Sequence, residues 1–525
     1  MGDEKYILAV DLGTSGPKTA LVSMRGVVVG HEFEETELLL LPGGGAEQDP
    51  EGWWNAIMAT ARRLLARKIV PVEEIAAVSV STQWSGTVAV GRNGKHLMNA
   101  IIWMDTRGGK YVDEAFGGVL EIEGYDVFKL MKWVRVAGGL PGHHGKDPTA
   151  HILYIKNERP DLYERTHMFL EPKDYINLRL TGEYAAGHDS IVLHWVTDNR
   201  DISNVRYDDS LIRASGLERE KLPELRRAID VLGPLKKEVA DELGLPRDVP
   251  VVMGTPDVQS ASIGSGAVHD YQGHIYLGTS SWITCHLPFK KTDVFHQLAS
   301  LPSAIPDRYL LTNEQENAGS CLTYIRDNIL YHEDELLAEA RQPDVYKIFD
   351  TIAGGMPAGS DKVIFLPYLN GERAPVDDHT ARACFFNQSL RTHRGHLIRA
   401  VYEGVAFNSK WLLKYIEKFI GRRMDTINLI GGGANSDVWC QIYADVLDRR
   451  IRQIKDPIHA GVRGAAFVAS VGLGHITFDE IPDIIEIKDV YEPDPENRAI
   501  YDELYAEFGN LYKATRKINE RLNMQ

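Results

Sequence analysis

The tetrapeptide Leu-Gly-Thr-Ser occurs twice in the chain, at residues 12–15 and again at 277–280, about half a chain length apart. Each copy follows an apolar run and precedes a second one, a pattern that predicts a strand, a tight turn and another strand. A turn of Gly, Thr and Ser exposes backbone N–H groups with little side-chain bulk, which suits phosphate oxygens. Either turn alone is typical of an ordinary hairpin. Two identical turns half a chain apart instead predict a duplicated protein with one phosphate-binding hairpin in each half.

The residues around the first turn do not match a Walker phosphate loop. Lys18 follows Gly16 and Pro17, and a strand comes next, whereas the Walker motif leads into a helix. Lys18 either neutralises phosphate charge as a point cation or is a solvated lysine at a strand end. Asp11 ends the first strand beside the turn. A carboxylate there fits a Mg²⁺ ion held through water, and the alternative is an Asp that caps the turn.

Composition limits the class of protein. A chain of 525 residues with 44% apolar content predicts about two to four domains. The net charge of −16 argues against a nucleic-acid surface, which would need a basic stripe. The four cysteines form no CxxC pair, so we expect reduced thiols and a cytoplasmic protein. No apolar run approaches the ~18 residues of a membrane span, and no secretory signal follows Met1, so we expect no membrane partner.

Both halves are predicted to contain a hairpin sheet, a helix, a strand and a polar tip. In the first half these are a meander over 6–33, a helix over about 50–67 capped by Asp49, and a strand over 75–80. In the second half they are a helix over about 396–419 and a strand over 426–430 that ends in Gly431–Asn435. This order predicts an α/β fold with mixed sheets flanked by helices.

The division between the halves is placed at the turn Leu245–Pro250, so that the predicted domains span 1–249 and 250–525. Asp257 follows the strand that begins the second domain. Its position before an apolar segment is a helix-start signal, and a carboxylate at a helix N-terminus is expected to stay ionised at neutral pH. Such a carboxylate can also accept a proton from an attacking hydroxyl. The pair His143-His144 lacks metal-ligand spacing and is predicted to be a loop.

Five stretches together resemble the FGGY carbohydrate kinases, and among them the xylulokinases most closely. The resemblance implies two actin-like (ribonuclease-H-like) domains that close on a central cleft, with ATP mainly on the second and the sugar mainly on the first. It also implies transfer of the γ-phosphoryl group of Mg·ATP to a sugar or polyol hydroxyl. The stretches are Val10–Gly16, Glu47–Trp54, Pro172–Tyr175, Leu366–Pro375 and Leu429–Ser436.

The same resemblance assigns roles to individual positions. Asp257 would be the catalytic base and Asp11 would serve the metal. Near the phosphates and the nucleoside, the ATP-binding residues would be Gly13, Thr14, Ser15, Lys18, Gly278, Thr279, Gly319 (under the ribose), Gly432, Gly433, Asn435 and Ser436. The sugar-binding residues would be Gln83, Trp84, Ser85, Asp105, Asp257 and Val258.

The sugar site departs from the family pattern at two positions. Xylulokinases carry Gln-Met-His-Gly where this chain has Gln83–Gly86, and they follow the catalytic Asp with Asn where Val258 stands here. A buried hydroxyl without a hydrogen-bond partner costs ~1–3 kcal/mol. Because two polar partners are missing here, the sequence does not identify the substrate. Trp84 either stacks on a sugar face or fills space. Among the candidate substrates D-xylulose ranks first, ahead of glycerol, ribulose and four-carbon polyols. A homodimer is the candidate assembly. The alternative from another class is an actin-like ATPase or sensor without phosphoryl transfer.

Overall fold

The computed structural model describes residues 4–330 and 344–523. Its strands are β1 (Tyr6–Gly13), β2 (Gly16–Ser23), β3 (Val28–Phe33), β4 (Leu39–Leu41), β5 (Gly45–Gln48), β6 (Ile75–Thr82), β7 (Val88–Val90), β8 (Ala100–Ile101), β9 (Glu121–Ile122), β10 (Tyr125–Asp126), β11 (Met168–Leu170), β12 (Ala185–Gly187), β13 (Thr197–Asp198), β14 (Arg206–Tyr207), β15 (Glu224–Arg226), β16 (Val231–Pro234), β17 (Pro250–Pro256), β18 (Gly273–Leu277), β19 (Ser281–Thr284), β20 (His286–Leu287), β21 (Thr292–Asp293), β22 (Leu298–Pro302), β23 (Tyr309–Thr312), β24 (Ile364–Leu366), β25 (Cys384–Phe386), β26 (Thr426–Ile430), β27 (Arg450–Ile454) and β28 (Ile487–Tyr491). Its α-helices are α1 (Pro50–Ala66), α2 (Gly109–Phe116), α3 (Val127–Val136), α4 (Pro148–Glu158), α5 (Pro160–Arg165), α6 (Pro172–Thr181), α7 (Asp209–Ala214), α8 (Lys237–Leu243), α9 (Asp257–Gly264), α10 (Gly319–Ile325), α11 (Val345–Gly354), α12 (Arg394–Ile420), α13 (Asp437–Leu447), α14 (Ala460–Gly472), α15 (Ile481–Ile484) and α16 (Arg498–Asn523).

The first large sheet has the strand order β16-β17-β6-β1-β2-β3. β1, β2 and β3 pair antiparallel, which confirms the predicted meander, and β6 adds parallel to β1. Helix α1 begins as predicted, with the Asp49 carboxylate accepting from the Glu51 N–H and Pro50 in the first turn. It buries Trp53 and Leu64 in the core beneath β1 and β6.

The second large sheet repeats this plan in the order β19-β18-β26-β27-β28. β18 and β19 form an antiparallel hairpin, and β26 lies parallel to β18. Helix α12 confirms the predicted helix over 396–419 and runs from Arg394 to Ile420. Because each sheet places a hairpin next to a parallel strand, the two Gly-Thr-Ser turns occupy equivalent positions in two mixed sheets flanked by helices.

The predicted division of the chain falls at the start of a strand that belongs to the first sheet. β17 (Pro250–Pro256) pairs parallel with β6, so it is part of the first sheet and does not begin the second. The turn Leu245–Pro250 only connects helix α8 to that strand. Helix α9 follows directly from β17, and the second sheet starts at Gly273 with β18. The first sheet therefore extends to Pro256, past the predicted boundary at residue 250.

Helix α14 has no counterpart in the sequence prediction, yet it joins the two halves. It packs its apolar face on the first sheet, with Val462, Ala465 and Ala469 in one cluster with Ile7 and Ala20. It also crosses α9 at very short range. A Cβ on Gly464 would lie 1.8 Å from the Ser260 carbonyl oxygen, and one on Gly264 would lie 1.9 Å from that of Ala460. Glycine at both positions allows this contact between helix backbones.

Every helix within the described ranges is too short or too polar to cross a lipid bilayer.

Candidate active site

A cavity of about 990 Å³ lies between the halves and is lined by both Gly-Thr-Ser turns. The first half contributes residues 13–16, and the second half contributes Thr279 and Ser280. Asp257 also lines this cavity. The fold therefore brings the two turns and the predicted base to a single space.

The first turn is a two-residue connection between β1 and β2, since Gly13 pairs with Gly16 across it. Gly16 has φ +137°, and a Cβ there would overlap the Glu34 carbonyl oxygen at 2.0 Å, so the turn requires glycine. The Thr14 hydroxyl donates to Gln83 Oε1 at 3.1 Å and accepts from Trp103 Nε1 at 3.0 Å. Its side chain is thus bound to the predicted sugar site, and the turn presents mainly backbone to the cavity.

The second turn is held against the start of helix α10. The Gly319 N–H donates to the Gly278 carbonyl oxygen at 2.8 Å, and the Ala318 N–H donates to that of Thr279 at 2.9 Å. A Cβ on Gly319 would approach the Gly278 oxygen to 2.6 Å. A larger residue would push the helix away from the turn. Gly278, Thr279 and Gly319 are therefore brought together, as the resemblance implies.

Asp11 and Lys18 face each other across the first hairpin and contact the segment before α14. They are register partners in β1 and β2, and Lys18 Nζ donates to the Ile458 carbonyl oxygen at 2.6 Å. A Cβ on Gly461 would lie 2.0 Å from Asp11 Oδ2, so glycine lets the first turn of α14 approach the carboxylate. Burial raises the pKa of Asp11 and lowers that of Lys18. Neither side chain lines the cavity.

Asp257 is the first residue of α9, and its Oδ1 accepts from the Val258 N–H at 2.8 Å. Burial, and then the nearby charge of Asp11, raise the pKa of Asp257 to about 8. Burial therefore opposes the ionisation that the helix N-terminus was expected to favour. Helix α9 has only eight residues, and the loss of hydration outweighs its favourable dipole.

Four of the predicted sugar-binding residues, Gln83, Trp84, Ser85 and Val258, line the cavity beside Asp257. Gln83 Nε2 donates to Gln48 Oε1 at 2.8 Å, and the Ser85 hydroxyl donates to the Lys146 carbonyl oxygen at 2.8 Å. Trp84 is 9% exposed and donates from Nε1 to the Ser190 carbonyl oxygen at 3.0 Å. The Trp84 side chain belongs to an apolar cluster and also lines the cavity, so both roles predicted for it stay open.

Asp105 does not reach the cavity. Its side chain is 1% exposed and accepts from the Ala46 N–H and from the backbone and guanidinium of Arg107. Arg107 also pairs with Glu47. Both oxygens of this carboxylate accept hydrogen bonds from the protein, which orders the loop next to the site.

The glycine-rich tip lies at the same sheet edge as the second turn, because β26 runs parallel to β18. A Cβ on Gly432 would meet nothing within 4 Å, whereas one on Gly433 would meet Leu277 at 2.6 Å. Asn435 Nδ2 donates to the Gly432 carbonyl oxygen, and Ser436 caps α13 and donates to Asp350 at 2.6 Å. None of these four residues lines the cavity, and the Ser436 hydroxyl is engaged within the protein.

The sequence analysis missed a group of charged residues that line the cavity, Lys146, Asp147, Glu314 and Arg373. Lys146 Nζ lies 3.1 Å from Glu316 Oε1, an ion pair across the two halves. Arg373 pairs with both Glu314 and Glu316. Arg373 belongs to Leu366–Pro375, one of the five stretches that resemble the FGGY kinases. The sequence therefore marked the region of Arg373 as part of the site. Lys146 and Glu314 stand in irregular loops, where no local pattern marks them.

Comparison with known proteins extends these observations to the whole chain. The N-terminal domain of the FGGY family of carbohydrate kinases matches residues 6–264, and its C-terminal domain matches 273–473. A xylulose kinase of Staphylococcus epidermidis is 26% identical over 540 aligned positions, covering 99% of each chain. A gluconokinase of Bacillus subtilis is 27% identical over 508, covering 96% of this chain and 95% of the relative. The crystal structure of gluconate kinase from Lactobacillus acidophilus aligns with a TM-score of 0.85 at 26% identity, over 99% of this chain and 100% of that one.

The two matched segments cover most of the chain in the order that the repeated turns indicate. The resemblance seen in the motifs, the two-domain α/β fold and the class of reaction are thereby confirmed. The protein is an ATP-dependent carbohydrate kinase, and the chain belongs to the FGGY family of carbohydrate kinases.

Proposed function

We propose that this kinase phosphorylates a pentulose, with D-xylulose as the first candidate, in the cavity between its halves. The observation that carries the proposal is the convergence of both Gly-Thr-Ser turns and Asp257 on that cavity. Among the relatives of similar length are xylulose kinases of Bacillus subtilis and Escherichia coli, at 27% and 28% identity.

Asp257 acts as the general base in this proposal. The attacking hydroxyl gives its proton to the Asp257 carboxylate as the new bond from oxygen to the γ-phosphorus forms, and the bond from that phosphorus to the β-phosphate oxygen breaks to release ADP. Phosphoryl transfer of this kind depends on positioning and charge stabilisation more than on covalent chemistry. The short rigid connection from β17 into α9 holds the carboxyl in place.

The two turns and the glycine-rich tip each bind a different part of the nucleotide. Gly278 and Thr279 hold the β- and γ-phosphates, Gly319 lies under the ribose, and the backbone of Gly13–Ser15 receives the transferred group. The unobstructed Gly432, next to Gly433, offers a flat surface for the adenosine, with Asn435 at its rim. Lys18 acts from a distance through its charge, since its amine is bonded to Ile458. Ser436 contributes as the cap of α13.

Asp11 fits the role of Mg²⁺ holder through water. It is a buried carboxylate whose pKa is raised by burial and whose charge raises the pKa of Asp257. The Asp11 side chain does not itself line the cavity, and a divalent cation held through water would offset the charge that Asp11 and Asp257 place near each other. When bound, the ion would neutralise part of the phosphate charge.

A sugar acid such as gluconate is the second candidate substrate. The cavity contains the side chains of Lys146 and Arg373, and Arg373 Nη2 is buried with no hydrogen-bond partner among the described residues. A carboxylate would satisfy that donor. Glu314 and Glu316 already neutralise these cations, which is why the pentulose ranks first.

A coupled ADP-release assay over ketoses, aldoses, polyols and aldonates tests the proposal. We expect D-xylulose to give the highest kcat/KM and ATP hydrolysis without sugar to be negligible. Gluconate as the best substrate would select the second candidate. ATP hydrolysis at the same rate with and without every sugar would overturn the kinase assignment of the site.

We infer that the domains divide between α9 and β18, close to the interval between the two family matches. A homodimer is the assembly to test, by light scattering coupled to size-exclusion chromatography.

A further inference from the structure

Three metal-ligating side chains from the two halves meet at the edge of the cavity. His144 comes from the loop after α3, while Asp377 and His379 come from the loop after β24. His379 Nε2 lies 2.9 Å from His144 Nδ1 and 3.1 Å from Asp377 Oδ1. The second Asp377 oxygen lies 3.6 Å from His144 Nε2. One ligand atom from each residue falls within 4.8 Å of the others.

The separations of 2.9 Å and 3.1 Å from His379 Nε2 to His144 Nδ1 and to Asp377 Oδ1 are close to those of a tetrahedral metal site. Metal–nitrogen and metal–oxygen bonds of about 2.0–2.1 Å place neighbouring ligands about 3.3 Å apart. Imidazole N–H groups can hold these contacts as hydrogen bonds, and a cation that takes one lone pair from each residue can replace those protons. Two imidazoles and one carboxylate form a borderline donor set, which selects Zn²⁺ and similar ions over Mg²⁺.

We propose that His144, Asp377 and His379 bind a divalent transition-metal ion, Zn²⁺ by the chemistry of the donors, that ties the two halves together. Three protein ligands leave the fourth position open to water or to a group in the cavity, which His144 and Asp377 both line. The side chains of the three residues are 22%, 34% and 50% exposed, so an ion can reach them from solvent.

Nearby cations do not exclude the ion. Lys146 and Arg373 are the basic groups in this part of the cavity, and Glu314 and Glu316 pair with them. The adjacent His143 belongs to a different contact, with Nδ1 2.6 Å from Asp113 Oδ1 and Nε2 3.0 Å from the Glu123 carbonyl oxygen. It therefore offers a matched control in the same loop.

The test titrates tag-free, nucleotide-free protein with Zn²⁺ by calorimetry and with Co²⁺ by visible absorption. We expect one ion per chain with a tetrahedral Co²⁺ spectrum, and an affinity that falls by more than about tenfold in His379→Ala and in His144→Ala. His143→Ala should bind like the parent protein. Zn²⁺ should raise the melting temperature of the parent and of His143→Ala, but not of His379→Ala.

Because His379 is half-exposed, His379→Ala should fold, and its circular dichroism spectrum checks this. Equal affinity in the parent and His379→Ala would overturn the proposal, and so would the absence of binding by the parent. Equal losses in all three variants would also overturn it, since they would place the ion outside the cluster.

Discussion

Asp257 combines a fixed position with a pKa near the working pH. Burial and Asp11 raise its pKa to about 8 in the ligand-free protein. A general base is most effective when its pKa lies close to the operating pH, so the shift that opposes full ionisation also suits proton transfer. The arrangement therefore supports its role as the base of the proposed reaction.

Replacing Asp257 with Asn keeps the size of the side chain and removes its basicity. We expect Asp257→Asn to fold and to bind both substrates, while kcat falls by roughly 10²–10⁴, the usual scale of general-base catalysis. Steady-state kinetics and equilibrium binding of ATP and sugar measure this. If the variant kept most of its turnover, Asp257 would be only the first residue of α9.

Thr279 and Thr14 occupy equivalent places in the two turns but have different surroundings. The Thr14 hydroxyl is bonded to Gln83 and Trp103, while Thr279 lines the cavity with its carbonyl held by Ala318 and Ser320. We expect Thr279→Val to raise KM for ATP about 10- to 100-fold, the effect of losing a hydrogen bond to a charged group, with little change for sugar. Thr14→Val is the matched control and should affect the sugar more. Equal losses for both substrates in Thr279→Val would contradict the assignment.

At the scale of single residues, the sequence predicted those positions that need glycine. Backbone oxygens crowd the motif residues Gly16 and Gly319, and the Tyr276 ring crowds Gly278, so each position favours glycine. The cavity charges were missed because the contact between Lys146 and Glu316 joins loops distant in sequence. Asp105 was assigned to the sugar site from its motif, although Arg107 and Ala46 occupy its oxygens.

At the scale of elements, periodicity predicted the long helices and missed the short or small-residue ones. Helix α1 was recognised from its cap at Asp49 and Pro50, and α12 because apolar residues recur along one face. Helix α14 was missed since its contacts rest on Ala and Gly, whose spacing at Gly461 and Gly464 gives little apolar contrast. Strand β17 was predicted, but it was placed in the second half of the chain. The local sequence does not show which strand it pairs with, and it pairs with β6 of the first sheet.

The crossing of α9 and α14 gives a prediction at this scale. Gly464→Ala places a Cβ against the Ser260 carbonyl, a backbone atom that cannot yield without moving the helix. We expect a loss of about 1–3 kcal/mol in the free energy of unfolding, the usual effect of overpacking, despite the better helix propensity of Ala. Chemical denaturation measures it. Gly509→Ala in α16, where a Cβ meets nothing within 4 Å, is the control and should be neutral or stabilising. Equal stability of the two variants would show that the helices separate easily.

At the scale of the whole molecule, two kinds of contact join the halves. The α9–α14 crossing is buried and close-packed, so it keeps its geometry. At the cavity edge the halves meet through polar contacts, such as Lys146 with Glu316 and His144 with His379. These edge contacts are a few polar groups on loops, whereas the crossing packs backbone against backbone. We therefore expect the halves to separate more easily at the cavity edge, with the crossing of α9 and α14 as the pivot.

Ligands that contact both halves should shift this equilibrium towards the closed form. ATP on the second turn and sugar beside the first would bridge the cavity, and a ligand shifts a population only by its preference for one state. We expect the radius of gyration from small-angle scattering to fall when both ligands are bound, and to fall less with either one alone. Asp257→Asn with both ligands is the control that removes turnover, and it should compact like the parent. If neither protein became more compact in any ligand state, the cavity would be fixed in shape and the pivot at α9 and α14 would have no role in catalysis.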